Sequence, residues 1–321
     1  MTPPAALRPH RRAAAQLLLG YLPLLTAGVV LLAVLAVRLS VAREPLDAAT
    51  ATATATVVSS NEAPDGRGVS VTLPGEAGAV RTGVIVLRDR QDIPADAKIG
   101  VSYDPASPAD DTAVYADGDA AHRAVEDLLF GLFATVVILL VVSGVTGVRV
   151  LRLRGLRRAT PSEATGSRVV VRQGLVVRSW LELATARGER WLPVHWSPEL
   201  AALEPDSPVQ VRGDVGRRWV LPVVDGAEVW PSGRLRSRPP RGERHVVVPE
   251  DAPDRPPSWG RQVRSDLVVV FAAPVLGLLW AYLDGSGTAG FAGATVLSAG
   301  VLFWLTQLLG SDPLPPSRRR D

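Results

Sequence analysis

The sequence predicts a membrane protein of α plus β class, with four transmembrane helices carrying two small β-barrel-like soluble domains. Three observations carry that expectation. Residues 128–148, LLFGLFATVVILLVVSGVTGV, form a 21-residue run without a charge, flanked by Glu126-Asp127 and by the arginine-rich RVLRLRGLRR of 149–158. At about 1.5 Å of rise per residue such a run spans the roughly 30 Å hydrocarbon core of a bilayer. Hydrophobic residues make up 47% of the 321 and the mean hydropathy is +0.17, a balance suited to a few membrane helices with sizeable soluble parts. Between the apolar runs, β-branched residues alternate with polar ones as strands do.

The basic N-terminus of 1–12 leads into the first span, 13–37, which is 25 residues without a charge. Ser40-Val41-Ala42 resembles a signal-peptidase site. A signal h-region runs only about 7–15 residues, however, so a retained helix is the stronger reading. Residues 38–127 hold 15 acidic against 8 basic residues, net −7. They read as five short strands: AATATATVVS from 49, VSVTL at 69–73, VRTGVIVLRD from 80, KIGVSYDP at 98–105 and TAVYAD at 112–117. The Asp-Gly turn within 61–68 reverses the chain between the first two. A helix from about Gly118 runs straight into the span at 128–148.

A membrane helix, a compact β unit with G-x-V-x-Y-D-P-x-x-P near its end, and a second helix together resemble the DUF3592-type membrane proteins. The ATATV opening and the Gly-x-V closing of this unit also resemble small actinobacterial two-span proteins of unknown role. Here the motif is Gly100, Val101, Tyr103, Asp104, Pro105 and Pro108. The likeness covers residues 17–148 and implies a shared fold unit, with no activity to carry over.

Residues 149–264 reverse the charge, with 21 arginines against 13 acidic residues, net +8. Five strands are expected within 149–232, with hairpin turns at 186–189 and 214–217. A short helix at 197–203 should be capped by Ser197, with Pro198 in its first turn. Five of the eight tryptophans fall here, Trp180, Trp191, Trp196, Trp219 and Trp230, as core anchors of a second barrel-like domain. The Pro- and Arg-rich stretch 233–265 reads as a partly extended linker. Two last spans follow at 266–283 and 287–309, joined by a short Gly-rich loop, and a basic tail occupies 310–321. The uncharged part of the third span, 267–283, is short, so a shallow hairpin is its alternative.

Arginine clusters at 11–12, 149–158, 261–264 and 318–320 all fall on one side if four helices cross. The positive-inside bias makes that side the cytoplasm, with both termini there and the acidic domain outside the plasma membrane.

Composition also excludes chemistry. There are no cysteines, so disulfides, zinc–thiolate sites and thiol catalysis are ruled out. The four histidines, His10, His122, His195 and His245, have no metal-ligand spacing, and no hydrolase, zincin or phosphate-loop motif occurs. Asp104, Asp110, Asp111, Asp117 and Asp119 cluster without the spacing of a calcium loop and read as turn residues. No ionisable side chain is read inside the spans, which disfavours a transporter, and Gly144, Gly147, Gly290, Gly293 and Gly300 are expected to let helices pack closely. The one charged feature with a binding role is Arg234, Arg236, Arg238, Arg241 and Arg244, placed to meet anionic lipid. Nucleic acid is a weaker partner for them, and no cofactor or small-molecule substrate is indicated. The expected function is a non-enzymatic scaffold or sensor linking the two β domains across the membrane, with a protein partner undefined. The alternative is an auxiliary subunit of an envelope enzyme or transporter.

Overall fold

A computed structural model describes residues 11–62, 65–75, 79–247 and 257–313. In chain order the first elements are α1 (Arg11–Ala48), β1 (Ala51–Glu62), β2 (Gly68–Pro74), β3 (Val80–Val86), β4 (Lys98–Tyr103), β5 (Thr112–Ala116) and α2 (Ala120–Leu156). There follow β6 (Pro161–Gln173), β7 (Val176–Thr185), β8 (Gly188–Val194), α3 (Pro198–Ala201), β9 (Ser207–Arg212), β10 (Leu221–Val224), β11 (Ala227–Glu228) and β12 (Glu243–Val246). The chain closes with α4 (Trp259–Val270), α5 (Ala273–Asp284) and α6 (Gly287–Leu308). Four helical stretches are long and apolar enough to cross a membrane: α1, α2, α4 with α5, and α6. Two compact units result, Val29–Val137 and Met1–Gly28 with Ile138–Asp321.

The first unit is a closed five-stranded barrel in the order β1-β2-β3-β5-β4. The Thr-Ala alternation of β1 does what period 2 requires, turning Ala53, Ala55 and Val57 inward and Thr52 and Thr54 to solvent. Val69, Val71, Leu73, Ile85, Val101 and Val114 complete the core. Closure comes from the parallel pairing of β3 with β5 at Gly83–Thr112. A Cβ at Gly83 would overlap the Thr112 carbonyl, so only glycine permits that approach. Asp119 ends the barrel and starts α2. Its carboxylate accepts from the Ala116 N–H at 3.0 Å and the His122 N–H at 2.9 Å, the second in the manner of an N-cap.

The second unit is built on a seven-stranded sheet, β11-β10-β9-β6-β7-β8, with β12 also on β6. A second barrel-like domain is therefore realised as a single sheet. Its length comes from β6, whose first half pairs with β9 and whose second half pairs with β12, while β7 runs along the other edge. Leu181, Leu183, Leu192, Val194, Leu200, Val209 and Val211 fill the core. The α3 helix has the cap read from sequence: Ser197 Oγ accepts from the Leu200 N–H at 3.1 Å.

Residues 233–247 correct the linker expectation. Leu235 is buried, Arg236 bridges Trp191 in both backbone directions, and β12 completes the sheet. Buried Leu235 and Pro240 and the ladder of β12 on β6 seat it. Residues 248–256 of the expected linker, and most of the 310–321 tail, lie outside the described residues.

The third span also differs. It begins at Trp259, capped by Ser258, seven residues earlier than expected, and it breaks at Phe271–Ala272. Pro274 in the first turn of α5 explains the break, since it lacks the N–H an uninterrupted helix needs.

Glycine packing is redistributed as well. An added Cβ at Gly144 or Gly147 would meet nothing within 4 Å. The close approaches lie at Gly300 against Leu24, Gly20 against Gln307 and Trp304, Gly28 against Leu139, and Gly277 against Thr295. Side-chain hydrogen bonds accompany them, from Trp304 Nε1 to Thr146 Oγ1 at 3.1 Å and between the Tyr21 and Ser143 hydroxyls at 2.9 Å.

Candidate functional site

The ends of α2 and α6 reach the same sheet, and the starts of α1 and α4 gather beside them. Where α2 stops, Arg157 donates through Nε (3.0 Å) and Nη2 (2.7 Å) to Glu228 Oε2, and Arg212 donates to the Arg157 carbonyl at 2.7 Å. The start of α1 is held by Arg12, whose Nη2 donates to the Pro257 carbonyl at 2.8 Å. Its guanidinium stacks 4.5 Å from the Trp196 ring centroid and 4.8 Å from that of Trp259. One turn on, Gln16 donates to the Ser311 carbonyl at 3.1 Å. Its Oε1 lies 3.4 Å from Nδ1 of His195, which is buried immediately after β8.

The centre of this junction is Asp266, 3% exposed. Its Oδ2 accepts from Gln262 Nε2 at 2.7 Å, Gln307 Nε2 at 2.6 Å and the Ser311 hydroxyl at 3.0 Å. Three donors on one carboxylate oxygen offset part of the cost of holding that group away from water. Both glutamines are at most 1% exposed, and their Oε1 atoms have no partner among the described residues. The network therefore ties α4, α6 and, through Ser311, α1 by bonds that are costly to break.

The C-terminal end of α6 carries a second set of contacts. Its last carbonyls are orphaned by helix geometry. Arg149 donates to the Leu308 carbonyl, and Arg178 Nε donates to that of Leu309 at 2.9 Å. Beyond the helix, the Asp312 N–H donates to the Val177 carbonyl at 2.8 Å, extending the free end of β7. The Asp312 carboxylate accepts from Arg168 Nη2 at 2.9 Å and from the Ser179 hydroxyl at 2.5 Å. Arg168 and Asp312 are both nearly inaccessible, so the pair is a buried ion pair with a shared serine.

Of the residues singled out in the sequence for lipid contact, Arg234, Arg236, Arg238, Arg241 and Arg244 are all exposed. They lie along the strap on β8 and β6. Arg236 stacks 5.4 Å from the Trp180 centroid and Arg244 6.0 Å from that of Trp191. Of the five tryptophans read as core anchors, Trp180, Trp191, Trp196 and Trp230 are buried, whereas Trp219 is half-buried. Asp266 escaped the sequence reading because it sits at the border of an uncharged run. The spacing Gln262-x-x-x-Asp266 was its signal, since residues four apart share a helix face.

In the barrel unit, a shallow groove of about 580 Å³ is lined by Thr52, Thr54, Ser102, Tyr115, Asp117 and His122. Burial, together with Asp119 and Asp104, raises the Tyr115 phenol above its ordinary value. The clustered aspartates act in turns: Asp104 accepts from the Ala106 N–H at 2.9 Å, and Asp119 from the backbone as described. Among the described residues no three His, Asp or Glu side chains stand in metal-ligand geometry. No family model, no curated protein and no solved structure matches the chain.

Proposed function

We propose that this chain is a multi-pass protein of the plasma membrane, working as a scaffold or sensor by interaction rather than catalysis. Both termini and the basic sheet face the cytoplasm in this reading, and the acidic barrel lies outside. One observation carries it: α1, α4 and α6 meet at Asp266 and Ser311, the chain after α6 enters the sheet at the buried Arg168–Asp312 pair, and α2 reaches the same sheet through Arg157–Glu228. Buried polar networks specify one arrangement and resist graded deformation, so a helix that shifts must exchange a whole set of partners. That property suits a device relaying a helix position to a sheet surface. The orientation is supported by the net −7 of residues 38–127 against the net +8 of 149–264. The exposed arginines of the strap would then face anionic headgroups, at about 1 kcal/mol each.

Cysteine labelling tests the reading, because the chain has no cysteine of its own. Ala109→Cys in an exposed barrel loop and Arg217→Cys in an exposed sheet turn are each expressed in intact cells and treated with an impermeant maleimide. The expected result is labelling of Ala109→Cys in intact cells and of Arg217→Cys only after lysis. Labelling of both from outside removes the two-compartment reading.

A further inference from the structure

Around the end of α6, positive charge converges without a counterion. Arg178 on β7 and Arg236 on the strap each place a guanidinium 5.4 Å from the same ring centroid, that of Trp180. Arg149 joins Arg178 on the adjoining carbonyls of Leu308 and Leu309. Among the described residues no carboxylate stands within ion-pair distance of any of the three. The nearby Asp312 is occupied by Arg168 and Ser179. The indole N–H of Trp180, wholly buried, likewise has no acceptor among the described residues.

The α6 terminus offers only about half a negative charge, against three formal positive ones. Burial first, and then the charges of Arg236 and Arg149, bring the Arg178 pKa down to about 10. Each guanidinium has five N–H donors, and Arg178 uses only Nε and, weakly, Nη2 toward Ser232 at 3.3 Å. Arg178 and Trp180 are buried, whereas Arg149 is half-buried and Arg236 exposed, so the cluster has a floor and an open side.

We propose that Arg149, Arg178, Arg236 and the Trp180 N–H form a binding site for a phosphate-type anion. Guanidinium forks match phosphate oxygens in pairs, and a cluster of arginines with surplus charge selects an anion over a neutral group. The anion is either the phosphodiester of a lipid headgroup or free phosphate. The lipid source rests on the membrane reading above, since it needs Arg149, two turns before the end of α2, to lie at headgroup level. The free-phosphate source does not.

The test uses the full chain. Its melting temperature is measured in detergent against inorganic phosphate, with chloride controls of matched ionic strength. It is then measured in nanodiscs of phosphatidylcholine with and without phosphatidylglycerol. Stabilisation by phosphatidylglycerol but not phosphate identifies a headgroup, and stabilisation by phosphate in detergent identifies the free ion. Arg236→Gln keeps the strap's backbone bonds to Trp191 and should weaken the effective anion by about fivefold. Trp180→Phe keeps the ring and removes the donor, and should weaken it as well. Arg217→Gln, an exposed arginine on a sheet turn outside both the strap and the cluster, should change nothing. The proposal is overturned if neither anion stabilises the protein, if Arg236→Gln leaves the response unchanged, or if Arg217→Gln weakens it equally. The last outcome would mean diffuse surface attraction rather than a site. A failed labelling pattern with a positive phosphate titration would remove the topology and leave the site standing.

Discussion

Arg168 and Asp312 show what a single buried charge demands. Each is at most 4% exposed, and each is the other's ion-pair partner. Asp312→Asn strands a guanidinium that water cannot reach, so it should cost about 3–5 kcal/mol. Replacing both, Arg168→Met with Asp312→Leu, removes the charges together and should recover most of that loss. Unfolding titrations of the purified protein in mixed micelles would compare the two, and a double variant as unstable as the single one would contradict the argument. Glu182 on β7 gives a prediction in pH. Burial, then Glu189 and Asp206, raise its carboxyl above the ordinary value, with Arg244 opposing. A raised carboxyl disfavours the charged form in the folded protein. The native state therefore carries that penalty above the folded pKa and sheds it as pH falls below the ordinary value. Glu182→Gln should accordingly raise the melting temperature at pH 7.5 and leave it unchanged near pH 4. A shift of equal size at both values would refute the assignment.

At the scale of elements, strands were legible and helix contacts were not. The Thr-Ala alternation of β1 and the Ser197-Pro198 cap are local signals, and both appear where the residues put them. The packing glycines are not local. An added Cβ at Gly144 or Gly147 would meet nothing within 4 Å, while isolated Gly20 lies under α6. Spacing along one helix says that a face is smooth, not which neighbour it meets. An added Cβ at Gly20 would sit 2.8 Å from Gln307 Cγ and 3.0 Å from the Trp304 Cα, where backbone cannot retreat. Gly20→Val should thus destabilise by about 1–3 kcal/mol through overpacking, and Gly147→Val by less than about 0.5 kcal/mol. Thermal unfolding in one detergent ranks them, and equal effects would mean that the α1–α6 approach is not tight.

For the whole molecule, the charge map announced two soluble regions of opposite sign. What it could not show is that sequence-distant polar residues, Gln16, Gln262, Asp266, Gln307 and Ser311, close into one junction. Each alone resembles an ordinary boundary residue, and only the fold brings them within bonding distance. That junction bears on the fate of the first helix. Ser40-Val41-Ala42 lies inside α1, which continues unbroken to Ala48, whereas a peptidase needs extended chain. Cleavage there would remove Arg12, Gln16 and Gly20, exposing the Trp196 and Trp259 rings and leaving the Ser311 carbonyl with one donor fewer. A protein carrying one tag at each terminus should therefore purify as one band bearing both, with an intact mass that includes α1. Recovery of the mature chain beginning at Arg43, still folded and equally stable, would show that α1 is dispensable to the junction and that its bonds there do not hold the sheet.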